Sequence, residues 1–262
     1  MPFVNVQGKK VYYAGDNSLG GSPVIFCHGS GGGHHHWLYQ LKSLRNPVNP
    51  LAVDLPGHGR SEGDALHSVA AYRDWLHDFS QATGIKNFIP AGHSLGGAIA
   101  LDYAIHYPDH TPGLILVGTG SRLRVLPAFL EALREGTVPP DLADLLYSQE
   151  ADEELLVKGR EEVAACAASV YYADLSACDR FDISSELPRI SVPALIICGT
   201  DDRLTPVKYS RFLADNIPWS RIEIIEGAGH MVMLEKPDQV NNAISAYVKE
   251  LNADSNSNQT LS

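Results

Sequence analysis

The stretch Phe88-Ile89-Pro90-Ala91-Gly92-His93-Ser94-Leu95-Gly96-Gly97 carries the strongest structural signal in this chain of 262 residues. Gly92 to Gly96 match the pattern G-x-S-x-G, a predicted strand (Phe88–Ala91) precedes them, and a helical pattern follows from Gly97. The serine of such a turn stands at the tip of a sharp, strained bend, where flanking side chains would collide with backbone. The pattern therefore predicts a nucleophile at Ser94, beside a helix N-terminus that favours negative charge.

Short apolar runs alternate with helical patterns along most of the remaining chain. The runs that fit strands are Val4–Val6, Lys9–Tyr13, Val24–Cys27, Leu51–Asp54, Phe88–Ala91, Leu114–Val117, Ala194–Cys198 and Ile222–Ile225. The stretches with helical spacing are Leu66–Ala82, Gly97–His106, Val207–Asn216 and Gln239–Leu251. Such alternation predicts βαβ units, so the fold class is α/β with a mostly parallel central sheet flanked by helices.

One segment interrupts the alternation of strands and helices. Residues 121–187 contain helical patterns and no strand pattern, although sheet strands are predicted on both sides of them. We expect a helical lid inserted before the last strands, because sites form where parallel strands end; additional surface helices are the alternative. The core then comprises residues 1–120 and 188–251, and the polar residues 252–262 are expected to form a disordered tail.

Composition and charge exclude several classes of partner. The formal net charge is −11, opposite to what binding of nucleic acid phosphates requires, so we expect no nucleic acid partner. No apolar run approaches the roughly 20 residues of a membrane span, and the first residues lack the layout of a signal peptide. We therefore expect no membrane partner and a cytoplasmic location, and the sequence carries no signal for an oligomeric state.

The four cysteines fit free thiols. Cys27 and Cys198 lie in apolar runs and are expected to act as small buried apolar residues. Cys166 and Cys178 could form a pair, but nothing else in the sequence suggests an oxidising compartment, and no zinc-type spacing is present.

A serine nucleophile needs a base that accepts its proton, and the chain offers 11 histidines. His230 follows the predicted strand Ile222–Ile225 on a glycine-containing loop, which places it at the same sheet edge as Ser94. The side chain of His93 is expected to point away from the turn in a different direction from that of Ser94. His28 is expected to help to hold a loop. We therefore predict His230 as the base.

Three consecutive histidines, His34, His35 and His36, raise the question of a metal site. Consecutive histidines rarely converge on one ion, and no acidic ligand lies near them in sequence. We therefore expect no metal and no other cofactor.

The acid that orients the histidine is expected after the predicted strand Ala194–Cys198. Two aspartates, Asp201 and Asp202, compete in the stretch Gly199-Thr200-Asp201-Asp202-Arg203-Leu204-Thr205-Pro206. The stretch after an earlier strand, Val117 to Ser121, contains no carboxylate.

An oxyanion formed during acyl transfer needs donors that are already in place. The backbone N–H of Leu95 is one candidate, because it directly follows the predicted nucleophile. The second is expected from the loop His28-Gly29-Ser30-Gly31-Gly32-Gly33, where we choose the N–H of Ser30. No Lys-Ser/Thr pair follows these glycines, so a phosphate-binding P-loop is not indicated.

Taken in order, the motifs resemble the α/β-hydrolase superfamily over nearly the whole chain. They are His28-Gly29, the stretch Asp54-Leu55-Pro56-Gly57-His58-Gly59-Arg60-Ser61, Gly92 to Gly97, Asp202 and His230. They look most like the short-lidded branch with bacterial carboxylesterases, enol-lactone hydrolases, C–C bond hydrolases and cofactor-free haloperoxidases. The resemblance implies the α/β-hydrolase fold and, from the family's spacing, selects Asp202 over Asp201. Serine at the turn disfavours haloalkane dehalogenases and epoxide hydrolases.

The resemblance implies a serine hydrolase of carboxylic esters that forms an acyl-enzyme, with a small-molecule ester as substrate. A lid of about 65 residues favours short to medium acyl chains. Trp37, Phe129, Tyr171 and Met231 are candidates to line the pocket, and ordinary core packing is an equally good reading of each. Hydrolysis of a C–C bond or an enol-lactone by the same triad is the alternative. A non-catalytic protein that binds a small hydrophobic molecule is a third reading, which the complete triad disfavours.

Overall fold

An eight-stranded sheet forms the centre of the computed structural model, which describes residues 3–259, with side chains through residue 254. The strands are β1 (Phe3–Val6), β2 (Lys9–Ala14), β3 (Ser22–Cys27), β4 (Val48–Val53), β5 (Ile89–His93), β6 (Leu114–Val117), β7 (Ala194–Gly199) and β8 (Ser220–Ile225). They are arranged in the order β1-β2-β4-β3-β5-β6-β7-β8. The pairs β1–β2 and β2–β4 are antiparallel and all others are parallel, which confirms the predicted fold class.

Strand β4 begins at Val48, three residues before the predicted start, and includes Pro50, a residue that argues against a strand in the sequence pattern. Pro50 pairs in register with Val24 of β3, whereas the register with β2 on the other side includes only Ala52 and Val53. Proline lacks the N–H that a strand donates, so it is tolerated where one side of a strand has no partner.

Helices cover both faces of the sheet. They are α1 (Leu38–Ser43), α2 (Val69–Thr83), α3 (Leu95–His106), α4 (Pro127–Arg134), α5 (Leu142–Leu146), α6 (Glu153–Ala165), α7 (Ala168–Arg180), α8 (Val207–Asn216), α9 (Val232–Glu235) and α10 (Pro237–Gln259). Alternate residues of β3 face opposite sides, so Ile25 joins the core under α2 and α3 while Phe26 joins the core under α10.

Helices α4 to α7 lie between β6 and β7 in sequence and form the predicted helical insertion. The two ends of the insertion meet, because Arg122 and Asp182 form an isolated antiparallel bridge and the Ile183 N–H donates to the Ser121 carbonyl at 2.9 Å. The insertion also has a small apolar core of its own, made of Leu133, Leu142, Ala143, Val163 and Tyr171.

The expected disordered tail at 252–262 needs correction. Helix α10 continues to Gln259, well past the predicted helix end at Leu251, and residues 260–262 lie outside the described residues. Ser22 donates a hydrogen bond to Asn252 Oδ1 at 2.9 Å, which holds this part of the helix against the sheet. Adding residues to a helix that has already formed costs little, so a polar sequence can continue it.

Two further expectations concern the cysteines and the membrane. All four cysteines are free thiols, and Cys27, Cys178 and Cys198 are buried. None of the helices among the described residues combines the length and apolar character that crossing a bilayer requires.

Candidate active site

Ser94 stands between β5, which ends at His93, and α3, which begins at Leu95. Its backbone has φ +52° and ψ −114°, a strained conformation for a residue with a side chain. A Cβ atom at Gly92 would overlap the Gly96 carbonyl, and one at Gly96 would overlap the Cys27 carbonyl. The glycines of the motif are therefore required by close backbone contacts on both sides of the serine.

Two hydrogen bonds fix the backbone of this turn to strand β6 and the residues after it. The Ser94 N–H donates to the Val117 carbonyl at 3.0 Å, and the Thr119 hydroxyl donates to the Ser94 carbonyl at 2.8 Å. The serine side chain is partly exposed and faces a pocket that His230 also lines.

Asp202 and His230 form a buried pair at the same edge of the sheet. His230 Nδ1 lies 2.8 Å from Asp202 Oδ2, and both side chains are almost fully buried. Asp202 follows β7 and His230 follows β8, so the adjacent parallel strands bring together residues 28 positions apart in sequence. The carboxylate makes Nδ1 the donor, which leaves Nε2 free to accept a proton.

The turn after β7 holds Asp202 in its ionised form. Oδ1 accepts the N–H groups of Leu204 and Thr205 at 2.9 and 2.8 Å, and Oδ2 accepts the Thr205 hydroxyl at 2.8 Å. Burial opposes ionisation, but contact with His230 and the bonds from Thr205 outweigh it and keep the pKa of Asp202 well below its ordinary value. The rival Asp201 is exposed and accepts a hydrogen bond from Thr200 instead.

His93 supports the histidine loop. Its Nε2 lies 3.0 Å from the His230 carbonyl and donates to it, and the two rings lie 4.4 Å apart between centroids. Burial keeps the pKa of His93 well below its usual range, so this ring is neutral. The side chain therefore positions the His230 backbone from the neighbouring turn.

The two predicted oxyanion donors lie on either side of the serine. Leu95 is the first residue of α3, and the first hydrogen bond within that turn runs from the Ala98 N–H to the Ser94 carbonyl. Its N–H therefore has no acceptor inside the helix. Ser30 lies on the loop after β3, where a Cβ atom at the neighbouring Gly29 would come within 3.3 Å of the Ser94 Cβ. The loop that carries Ser30 therefore packs directly against the serine.

A buried carboxylate from the lid holds the Ser30 loop, and sequence reasoning missed it. Asp174 on α7 accepts the Gly31 N–H at 3.0 Å, the Tyr72 hydroxyl at 2.6 Å and His58 Nε2 at 2.9 Å. The buried face of α7 includes Tyr171, Asp174 and Cys178 at helical spacing. A carboxylate on an otherwise apolar helix face needs buried partners, so this pattern could have indicated the role of Asp174 from the sequence.

His58 completes this arrangement as a buried cation. Its Nδ1 lies 2.9 Å from the Pro56 carbonyl and its Nε2 lies 2.9 Å from Asp174, so both ring nitrogens donate. Burial disfavours the charged ring, but the bond and the charge of Asp174 outweigh it and raise the pKa of His58. The motif from Asp54 to Ser61 thus ties the lid to the loop beside the serine.

We expect Asp174→Asn to lower both stability and catalytic efficiency. The change removes the carboxylate that pairs with the buried His58 ring, and removing one partner of a buried pair typically costs about 3–5 kcal/mol of unfolding free energy. Loss of the Gly31 anchor displaces a predicted oxyanion donor, so we expect kcat/KM of the folded fraction to fall about tenfold or more. Urea unfolding and ester hydrolysis, measured on the same preparations, test this.

The matched control is Asp179→Asn, a partly exposed carboxylate on the same helix. This variant should keep the activity of the folded protein. Wild-type stability and activity in Asp174→Asn would contradict the proposed anchoring.

The pocket in front of Ser94 is built by the core and the lid together. Residues of the segment 121–187 supply eight of the 17 lining residues, namely Leu142, Leu146, Tyr147, Gly159, Glu162, Val163, Tyr171 and Leu175. The Met231 N–H donates to the Leu146 carbonyl at 2.9 Å, so the lid is tied directly to the loop that carries His230.

Two of the four predicted pocket residues, Tyr171 and Met231, line this pocket. Trp37 does not, because it is fully buried against Phe26 with ring centroids 4.6 Å apart. Phe129 does not either, because it packs against the small core of the lid. Both are corrected to packing residues.

The sheet has the strand order of α/β hydrolases, and its carboxyl edge carries a strained serine and an aspartate–histidine pair. Fold and site together therefore assign this protein to the class of α/β hydrolases. A family model described as the alpha/beta hydrolase family matches residues 24–243. The chain therefore belongs to the alpha/beta hydrolase family.

Individual relatives have different activities. The solved structure of a thermophilic esterase is 36% identical, with a TM-score of 0.83, and the match covers 95% of this chain and 97% of that one. The 3-oxoadipate enol-lactonase 2 of Acinetobacter baylyi is 28% identical over 247 residues, covering 87% of this chain and 89% of the relative. The dihydrolipoyllysine-residue acetyltransferase component of the acetoin cleaving system of Pseudomonas putida is 28% identical over 253 residues. That match covers 88% of this chain, which spans only 64% of the relative's length.

Proposed function

We propose that this protein hydrolyses carboxylic esters with short to medium acyl chains through an acyl-enzyme on Ser94. The observation that carries the proposal is that the strained serine and the buried Asp202–His230 pair open into one pocket lined by apolar lid side chains. Such a pocket binds an uncharged acyl group, and the serine and histidine supply the nucleophile and base that ester cleavage needs.

In the first half of the proposed reaction, His230 Nε2 takes the Ser94 hydroxyl proton as Oγ attacks the ester carbonyl carbon. The N–H groups of Leu95 and Ser30 bind the resulting oxyanion. Collapse of the tetrahedral intermediate breaks the bond to the alkoxy oxygen, which leaves as the alcohol with the proton from His230. The acyl group remains on Ser94.

In the second half, water donates a proton to His230 and its oxygen attacks the acyl carbon. The second intermediate releases the carboxylic acid, and the proton returns from His230 to Ser94 Oγ. Asp202 keeps Nδ1 as the donor throughout and stabilises the charged ring in both halves.

The lid sets the proposed limit on acyl length. The cavity in front of Ser94 has a volume of about 70 Å³, well below the roughly 300–1,000 Å³ of sites that enclose drug-sized ligands, so only a small acyl group fits without movement of the lid. Leu142, Tyr147 and Val163 of the lid close it, and all three are buried. A long chain would have to displace packed lid side chains, whereas a short chain would not.

A series of p-nitrophenyl esters tests the proposal. We expect robust hydrolysis of the acetate and butyrate, with kcat/KM falling about tenfold or more by the laurate, which corresponds to about 1.4 kcal/mol of transition-state binding. Equal rates for butyrate and palmitate would contradict the limit on acyl length.

The same triad would also serve an enol-lactone or a C–C bond hydrolase, and the enol-lactonase relative keeps that alternative open. Esters, lactones and vinylogous diketones should therefore be compared on one enzyme preparation. A kcat/KM for a lactone or diketone that exceeds the best ester value would favour the alternative over the proposed esterase activity.

A further inference from the structure

Three side chains of the types that can bind metal ions meet where the lid contacts the core, outside the proposed catalytic residues. His35 and His36 belong to the 3-10 turn His34–Trp37 that follows the Ser30 loop, and Glu162 belongs to lid helix α6. His35 Nε2 lies 3.2 Å from Glu162 Oε1, and His36 Nε2 lies 3.2 Å from Glu162 Oε2. One ligand atom from each of the three residues lies within 4.8 Å of the other two.

The fold supplies the acidic residue that the sequence around the histidines lacks. Glu162 is 126 positions from His36 and reaches it only because the lid folds back over the core. The two histidine rings are nearly perpendicular, with centroids 4.6 Å apart and an interplanar angle of 73°, so consecutive residues turn their Nε2 atoms toward the same carboxylate.

The donor set is chemically selective. Two imidazole nitrogens and one carboxylate are typical ligands of Zn²⁺ and of similar divalent ions such as Co²⁺ and Ni²⁺. A tetrahedral ion with bonds of about 2.0–2.2 Å would hold its ligand atoms about 3.3–3.6 Å apart, so the three atoms, which lie within 4.8 Å of one another, would have to draw together by up to about 1.5 Å. Three protein ligands leave a fourth position for water.

We propose that His35, His36 and Glu162 form a binding site for a divalent transition metal ion of the zinc type. Ions can reach it from solvent, because the side chains of His35 and Glu162 are 44% and 41% exposed. The third ligand, His36, is 10% exposed and gives the site a fixed, largely buried anchor on the core.

The position of the site predicts an effect on the reaction, which rests on the proposed function. His36 and Glu162 also line the pocket in front of Ser94. A bound ion would link α6 of the lid to the core at the pocket wall and occupy part of the space beside it. Ester hydrolysis should therefore be inhibited by the ion and restored by a chelator.

The binding test uses Co²⁺ and Zn²⁺ on the Ser94→Ala protein, so that its outcome is independent of activity. We expect one ion per chain by calorimetry, with the visible absorption of a four-coordinate Co²⁺ complex. Glu162→Gln and His35→Gln should each weaken binding by more than about tenfold, because even residues that only orient a ligand typically cost this much.

The matched controls are Glu161→Gln and His67→Gln, which remove an exposed carboxylate and an exposed imidazole. Both should bind as the parent does. Absence of binding to the parent, or unchanged binding in Glu162→Gln and His35→Gln, would overturn the site and leave the three residues as an ion pair between lid and core.

The activity test adds Zn²⁺ to the wild-type enzyme during hydrolysis of p-nitrophenyl butyrate. Zn²⁺ should inhibit the enzyme, a chelator should reverse the inhibition, and Glu162→Gln should abolish it. This result would support an ion that links α6 of the lid to the core at the pocket wall. Binding without inhibition overturns that link alone. If the wild-type protein hydrolyses no ester, the proposed function fails, while the Co²⁺ titration still decides the metal site.

Discussion

Replacement of Ser94 by alanine is expected to lower kcat for p-nitrophenyl butyrate by about 10⁴-fold or more. Alanine removes the oxygen that would attack the carbonyl carbon but leaves the pocket, the oxyanion donors and the Asp202–His230 pair in place. The backbone hydrogen bonds of Ser94 to Val117 and Thr119 are retained, so the unfolding free energy should stay within about 1 kcal/mol of the wild-type value.

Ser30→Ala is the matched control for this loss. Ser30 contributes a backbone N–H to the proposed oxyanion site, and alanine keeps that group. We expect its kcat/KM to remain within a few-fold of the wild-type value. Near wild-type activity in Ser94→Ala would remove the basis for the proposed mechanism.

Asp202→Asn is expected to lower kcat by about 10³–10⁴-fold. The N–H groups of Leu204 and Thr205 both point at the Oδ1 position, so they will hold the amide oxygen there. The amide NH₂ then occupies the Oδ2 position and donates to His230 Nδ1. Nδ1 becomes an acceptor, Nε2 carries the proton, and the ring can no longer take the proton of Ser94.

Asp201→Asn separates this effect from a general loss of charge in the turn. Asp201 is exposed, and its carboxylate oxygen accepts only a local hydrogen bond from Thr200. We expect less than about a twofold change in kcat for this variant, measured under the same conditions. Equal losses in the two variants would contradict the selection of Asp202.

The sheet could be predicted from sequence because its signals are local. Most of the strands contain a short apolar run, and the order of strands and helices along the chain indicates a parallel arrangement. The start of β4 was missed because Pro50 is a poor strand residue unless one side of the strand lacks a partner. Helix α1 was also missed, since it has only six residues.

Some residues of the candidate site could be predicted from local sequence patterns, and others depend on contacts between distant parts of the chain. Ser94, Asp202 and His230 each stand in a turn at the end of a strand, so strand order alone places them at one edge. Glu162 contacts the core across the lid, which no local pattern encodes, whereas the position of Asp174 on the apolar face of α7 is a local signal. Trp37 lies in the core and not in the pocket, because an aromatic residue close in sequence to the site loop suits either environment.

Covalent labelling by a fluorophosphonate is the most direct test of the proposal that Ser94 is an activated nucleophile. Intact mass and peptide mapping should show one adduct per wild-type chain, on Ser94. The adduct should be absent in Ser94→Ala, form slowly in Asp202→Asn and form at the wild-type rate in Asp201→Asn. An adduct on a different residue, or equal labelling of Ser94→Ala, would contradict the assignment of Ser94.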